Sequence, residues 1–257
     1  MALRGVLFDM GGTLLNYHPP GADPRSGWRQ MEDSGAEALH AFLRQQGHPL
    51  PPLEEARALS FEVMRQHWRR VGQGEAVNPQ LGPLLREVMT AWGLPRSALD
   101  DGLVDRAVAV YVAPVQAYVA PLEGARETLA ALRARGLRLG LISNTVWPGA
   151  FHRQDLERWG LLPYLECTLF SADVGVWKPS PAIFQMGLRA LELRPEEAVY
   201  VGDHPYFDVH GAQQAGLRGV WVWSDEWAVS TPEEADIRPD ATIRRLPELP
   251  DVIAPWL

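Results

Sequence analysis

The chain has 257 residues, 46% of them hydrophobic and 22% charged, and its 32 Asp and Glu exceed its 24 Lys and Arg to leave a formal net charge of −8. A length of this order holds one to two domains with a sizeable core, and the acidic balance argues against a surface built for phosphodiester backbones, so no nucleic acid is expected as a partner. No apolar run approaches the ~18 residues that span a bilayer, so no membrane partner is expected either, and a single cysteine, Cys167, without a secretory leader makes a reducing cytoplasm the expected location.

In chain order, Leu3 to Phe8 is a short apolar run ending at Asp9 and followed by Gly11 and Gly12, which reads as a buried strand stopping at a turn. From Pro19 to Pro114 apolar residues recur three and four apart over Ala36 to Gln46, Leu53 to Val71, Leu81 to Trp92 and Val104 to Val112, a helical block with no convincing strand. After Pro121 helix and strand alternate. Helices are predicted over Ala125 to Arg135, Gln154 to Trp159, Ala182 to Leu191 and Val209 to Ala215; strands over Leu137 to Ile142, Thr168 to Phe170, Ala198 to Val201 and Val220 to Trp223. Short, continuously apolar strands between helices predict an α/β fold with a doubly wound, Rossmann-like parallel sheet, and Gly136 and Gly216 stand where helix C-caps belong. The simplest division is a core of residues 1–17 and 119–257 with an all-helical domain inserted over 18–118, hinged near Pro19, Pro20 and Pro114. The pair Glu233 and Glu234 reads as a solvated helix start.

In an open parallel sheet ligands bind beyond the carboxyl ends of the strands, which draws attention to Asp9, Ser143, the Gly202–Asp203 step and Lys178. Lys178 is the one lysine in a chain whose other 23 basic residues are arginines. Either usage drifted to arginine, or this position needs a compact point charge that a planar guanidinium cannot replace.

Four strings in order, Phe8-Asp9-Met10-Gly11-Gly12-Thr13-Leu14, Leu141-Ile142-Ser143-Asn144-Thr145, Lys178-Pro179 and Gly202-Asp203 through Asp208, resemble the four motifs of the haloacid dehalogenase-like (HAD) hydrolase superfamily. Each falls at a predicted strand end, and the helical insertion after the first strand resembles the cap of that superfamily. The resemblance implies that Asp9 is a nucleophile forming a covalent intermediate that water breaks down, with Lys178 holding that carboxylate ionised and offsetting substrate charge. It implies that Ser143 and Asn144 bind phosphate oxygens from side chain and backbone. Asp9, Asp203, Asp208 and the backbone carbonyl of Gly11 become the ligands of Mg²⁺, a cation suited to hard oxygen donors, and the substrate becomes a small phosphorylated metabolite. Plainer readings stand beside these: Asp9 as a turn residue, Ser143-Asn144 as a turn, and Asp208 as an N-terminal helix residue.

The family's phosphatases carry a second aspartate two residues after the nucleophile, where this chain has Gly11. Glycine keeps the carbonyl and loses the acid-base carboxyl, a group worth roughly 10²–10⁴-fold. Phosphonoacetaldehyde hydrolases need a second lysine that this chain lacks. The 2-haloacid dehalogenases need no acid and no metal, but generally lack the Gly-Asp pair of the fourth motif. A weak or silent phosphate-binding or interaction protein is a third possibility. His204, beside Asp203, and His18 are candidates for the missing acid, although a loop histidine without a catalytic role is the simpler reading. Trp147, Trp177, Trp223 and Trp227 read as packing and not as a substrate pocket. The sequence is therefore identified as a member of the HAD superfamily, expected to be a Mg²⁺-dependent phosphatase acting through an aspartyl-phosphate at Asp9. Substrate identity and oligomeric state are not legible in it.

Overall fold

The computed structural model describes residues 2–18, 24–72, 80–223 and 236–257. Glu233, Glu234, Trp227, Pro19 and Pro20 lie outside the described residues. The chain divides into two compact units, an α/β unit of Met1–Tyr17, Ala120–Thr145 and Gly149–Leu257, and a helical unit of His18–Val119 and Val146–Pro148. Val119 and residues 146–148, assigned to the core in the sequence reading, belong to the helical unit.

The α/β unit is built on a six-stranded sheet of order β5-β4-β1-β6-β7-β8. Its strands are β1 (Gly5–Phe8), β4 (Arg138–Ser143), β5 (Cys167–Phe170), β6 (Ala198–Gly202), β7 (Arg218–Val222) and β8 (Ala241–Ile243), and every neighbouring pair is parallel. Between them run α5 (Ala125–Ala134), α6 (Gly149–Arg158), α7 (Ser171–Val174), α8 (Pro181–Ala190) and α9 (Gly211–Gln214), with α10 (Leu249–Val252) near the end. The doubly wound Rossmann-like α/β expectation is met. All four residues of β1 and all five of β6 are buried, as strands covered on both faces must be. One core cluster joins Leu7 and Ile142 of the sheet to Ile183, Phe184 and Leu188 of α8 and to Ala212 of α9. The apolar face of α8 thus recurs at the three- and four-residue spacing that buries one side of a helix.

A second, antiparallel ladder of two short strands, β2 (Leu15–Asn16) and β3 (Ala120–Pro121), joins the points where the chain leaves and re-enters this unit. The helical unit comprises α1 (Pro24–Gln45), α2 (Leu53–Gly72), α3 (Leu81–Ala91) and α4 (Asp101–Gln116). Asp100 caps α4, its carboxylate accepting from the Leu103 N–H at 2.7 Å.

Three local expectations are corrected. Pro114 is no hinge but lies inside the last turn of α4, where the i→i−4 hydrogen bond it removes falls just before the helix ends at Gln116. Helix α6 starts five residues before Gln154 because the N–H of Gly149 is satisfied at 2.9 Å by Asp173, a cap supplied from α7 that no local pattern announces. The helix expected from Val209 begins at Pro205 as a single π-helical turn, Pro205–His210, which runs into α9. Strands β2, β3 and β8, of two or three residues each, are too short for a periodic signal. Among the described residues no helix is long and apolar enough to cross a membrane.

Candidate active site

The chain builds outward from β1 in two directions, to β4 and β5 on one side and to β6, β7 and β8 on the other. Such a reversal opens a crevice at the carboxyl ends of the strands. Phe8 pairs with Leu141 on one flank and Val201 on the other, so the residues that end all three strands emerge side by side. Asp9 follows directly, its N–H donating to the Val201 carbonyl at 2.8 Å.

Lys178 reaches this point from the loop between α7 and α8. Its main chain is clamped to the end of β4 by Asn144, which accepts from the Lys178 N–H at 2.8 Å and donates through Nδ2 to the Lys178 carbonyl at 3.0 Å. The ammonium donates to Asp9 Oδ1 at 2.6 Å, to Asp208 Oδ1 at 2.6 Å and to Tyr200 Oη at 2.9 Å, with the side chain only 3% exposed. Asp208 is delivered by the π-helical turn, whose start is fastened by the His204 N–H donating to Asp208 Oδ2 at 2.9 Å. Asp203 is held by Trp221, whose indole N–H donates to its backbone carbonyl at 2.8 Å, and by the Thr13 hydroxyl, which donates to Oδ1 at 3.5 Å.

Two glycines make this crowding possible. A Cβ on Gly202 would lie 2.3 Å from Asp208 Cγ, and one on Gly12, whose φ is +75°, would lie 2.2 Å from Asp203 Oδ2. Gly11 is different. Its φ is not left-handed, and a Cβ there would meet only the Tyr17 ring, at 3.8 Å. Neither backbone nor space demands glycine at the position where the phosphatase motif has its second aspartate.

Asp9, Asp203 and Asp208, all buried, each bring one carboxylate oxygen within 4.8 Å of the others. Burial raises the Asp9 carboxyl to about 6, with the Lys178 charge opposing and Asp208 adding to the rise. Burial and then the charges of Asp9 and Asp208 push Asp203 well above the usual carboxylate range. Burial alone would depress the Lys178 ammonium, but the carboxylates of Asp208 and Asp9 hold it well above the ordinary lysine value. When all three carboxylates are ionised, they outnumber the one ammonium by two negative charges, which is why burial and mutual repulsion raise Asp9 and Asp203, and their oxygens are hard donors. That donor set fits a divalent cation that prefers oxygen ligands.

Of the residues expected at the site, Asp9, Lys178, Asp203 and Asp208 therefore come together, and Asn144 joins them through the Lys178 backbone. Both ends of the Asn144 carboxamide hold the Lys178 main chain. Ser143 is buried at the end of β4. His204 caps the π-helical turn, its Nδ1 accepting from the Tyr206 and Phe207 N–H groups at 3.2 and 3.4 Å, which accounts for it structurally. His18 belongs to the helical unit. Trp147 is buried and Trp177 and Trp223 are half-buried, and an arginine, Arg244, lies over the Trp223 ring at 4.3 Å. Sequence reading missed Tyr200 as a partner of Lys178. The one available signal was a phenol in the otherwise aliphatic string Ala198-Val199-Tyr200-Val201, since a buried hydroxyl needs a partner.

Comparison with known proteins agrees with this geometry. Residues 3–216 match the model of a family described as haloacid dehalogenase-like hydrolase. The chain is 41% identical to a phosphoserine phosphatase of Thermus thermophilus, over 96% of this chain and 98% of that protein. It is 35% identical to a glyceraldehyde 3-phosphate phosphatase of Methanopyrus kandleri, over 98% and 97%. Among solved structures, a 2-haloacid dehalogenase of Pseudomonas syringae superposes with a TM-score of 0.70 at 27% identity, covering 99% of this chain and all of that one. The chain is a hydrolase and belongs to the haloacid dehalogenase-like hydrolase family.

Proposed function

We propose that this hydrolase is a Mg²⁺-dependent phosphatase that cleaves a small phosphate monoester through an aspartyl-phosphate at Asp9. The observation that carries the reading is the buried acidic trio around one ammonium, with Lys178 2.6 Å from both Asp9 and Asp208. Asp208 pairs with Lys178, but a reaction without a metal gives Asp203 nothing to offset its place beside two other carboxylates, whereas a phosphate dianion entering a cluster already in negative excess needs a divalent cation to enter at all. The names of the two relatives above, both phosphatases, support the same class.

In this scheme Asp9, Asp203, Asp208 and the Gly11 carbonyl hold Mg²⁺, which when bound supplies the charge that neutralises the phosphoryl group. The Asp9 carboxylate attacks phosphorus, a new O–P bond forms, and the bond to the leaving oxygen breaks. Lys178 keeps Asp9 ionised and in place, and Ser143 with the Asn144 backbone receives phosphoryl oxygens. Water then attacks the aspartyl-phosphate, restoring Asp9 and releasing phosphate. With no carboxyl at Gly11 the leaving oxygen takes its proton from water. The helical unit, inserted in the sequence between β2 and β3, is assigned the substrate-selecting role of a cap.

Gly11 favours a second reading, a 2-haloacid dehalogenase, since halide leaves unprotonated. The deciding experiment is a panel of phosphate esters and 2-haloacids, each with Mg²⁺ and with chelator. Ester hydrolysis lost in chelator is the expected result. Halide release in chelator without ester hydrolysis overturns the proposal in favour of the dehalogenase. Phosphate binding without turnover of either class leaves a silent member.

A further inference from the structure

Tyr200 is a buried titratable group in contact with Lys178 that the hydrolytic scheme leaves without a task. Its ring is fully buried in β6 and meets Phe184 edge-on at 5.0 Å, a contact that phenylalanine would make equally well. Packing does not explain the hydroxyl. It donates to the Ile142 carbonyl at 2.7 Å and accepts from Lys178 Nζ at 2.9 Å. A phenol has one proton; directed at Ile142, that proton leaves the oxygen lone pair turned to the ammonium. The ammonium has three N–H groups, and the three acceptors around it are Asp9, Asp208 and Tyr200. Two carboxylates alone would let a flexible four-carbon stem swing between them, whereas a third, neutral acceptor on a rigid strand fixes the head at one point. The carbonyl that anchors the hydroxyl belongs to Ile142, directly before Ser143, so one phenol links the end of β4 to the lysine.

We infer that Tyr200 is a positioning residue, whose hydroxyl, anchored on the Ile142 carbonyl, holds the Lys178 ammonium at its place between Asp9 and Asp208. The consequence for turnover rests on the proposed hydrolytic role of Lys178; the positioning itself does not. Because Lys178 is the only lysine of the chain, lysine-selective ¹⁵N and ¹³C labelling yields one side-chain signal. The test compares that signal in wild type, Tyr200→Phe and Phe184→Leu, the last of which disturbs the same core contact without touching the hydroxyl.

In Tyr200→Phe the exchange of the Nζ protons with water is expected to rise at least about tenfold and the Lys178 Cε signal to shift, the loss of one hydrogen bond to a charged group being of that size. Phe184→Leu should lower the melting temperature and leave the Lys178 signal where it is. With any phosphate ester turned over, Tyr200→Phe should lose about tenfold in kcat with KM nearly unchanged, a split that loss of core packing does not produce. An unchanged Lys178 signal in folded Tyr200→Phe overturns the inference whatever the kinetics show. Should that variant not fold, the wild type decides: a nuclear Overhauser contact between the Lys178 Nζ protons and the Tyr200 ring supports the inference, and its absence overturns it. A wild type that turns over no phosphate ester defeats the hydrolytic reading alone, since the labelled-lysine experiment still decides the positioning.

Discussion

The two units bury different things. Among the described residues of the helical unit the buried polar side chains are His40 and Ser60, and each has a local backbone partner, His40 Nε2 with the Pro51 carbonyl at 2.9 Å and Ser60 Oγ with the Ala56 carbonyl at 2.9 Å. The rest of that interior is of the Leu39, Leu85 and Met89 kind, together with the aromatic Trp92 and Tyr111, whose N–H and O–H donate to the Ala56 and Glu32 carbonyls. The α/β unit instead buries Asp9, Lys178, Asp203 and Asp208 together. Burial of charge is unfavourable unless paired, and here one ammonium faces three carboxyl groups. Stability explains the first interior and opposes the second, so the second is where chemistry is to be sought.

The largest expected effect breaks the comparison at its centre. Asp9→Asn should reduce phosphate-ester turnover by about 10⁴-fold or more, the scale of removing a covalent nucleophile. In chelator its melting temperature should stay level or rise, because one of three like charges is gone. A loss of about 3 kcal/mol or more, measured by calorimetry, would mean that Asp9 is needed as the partner of Lys178 for folding and that the cluster is structural.

Next in size is stabilisation by the cation. If the excess charge is a metal site, Mg²⁺ at about 100 times its Kd should stabilise the wild type by about 2.7 kcal/mol over chelator. Asp203→Asn should abolish most of that gain and, in chelator, should not destabilise. Equal melting curves with and without Mg²⁺ in the wild type would remove the metal from the scheme.

Lys178→Arg tests whether the single lysine is drift or design. The guanidinium is planar and longer, and cannot place three donors at one point toward Asp9, Asp208 and Tyr200. The variant should fold and lose at least about tenfold in kcat; wild-type kcat would favour drift.

How much of this was legible follows the same division. The parallel strands and the helices between them announce themselves through continuous apolar runs and helical periodicity; Asp9, Lys178 and Asp203 were found because strand ends are where parallel sheets place ligands, and Asp208 through the resemblance of its string to the family's fourth motif. What sequence could not show are links between distant residues: the Asp173 cap that starts α6 early, the Asn144 carboxamide turned onto the Lys178 backbone, the Tyr200 hydroxyl. Each is a contact between segments more than twenty residues apart, and none has a periodic or local signature. Gly11 falls between. Its identity was plain in the sequence, but only the structure gives it an ordinary φ and room for a side chain.

That room makes Gly11→Asp a gain-of-function test. The substitution should raise kcat/KM for poor leaving groups such as sugar phosphates by about tenfold, a fraction of what a pre-organised general acid supplies. An activated aryl phosphate, whose phenolate leaves unaided, should gain little. No change on the poor leaving group in the folded variant would show that leaving-group protonation does not limit this enzyme.

The smallest effect is expected in the helical unit, at Ser60→Ala. The hydroxyl bonds the Ala56 carbonyl one turn back in α2, and the Trp92 indole N–H donates to that same carbonyl at 2.8 Å, so its removal leaves no orphaned acceptor. The lost hydrogen bond is worth about 1 kcal/mol, and alanine returns about half of that in helix propensity, for a net change within roughly 0.5 kcal/mol. Turnover of an aryl phosphate should be unchanged, because this buried hydroxyl, unlike the carboxylates, is fully explained by the helix that carries it. A several-fold change in kcat at unaltered stability would place chemistry in the interior that packing appeared to account for, and the contrast between the two units would no longer hold.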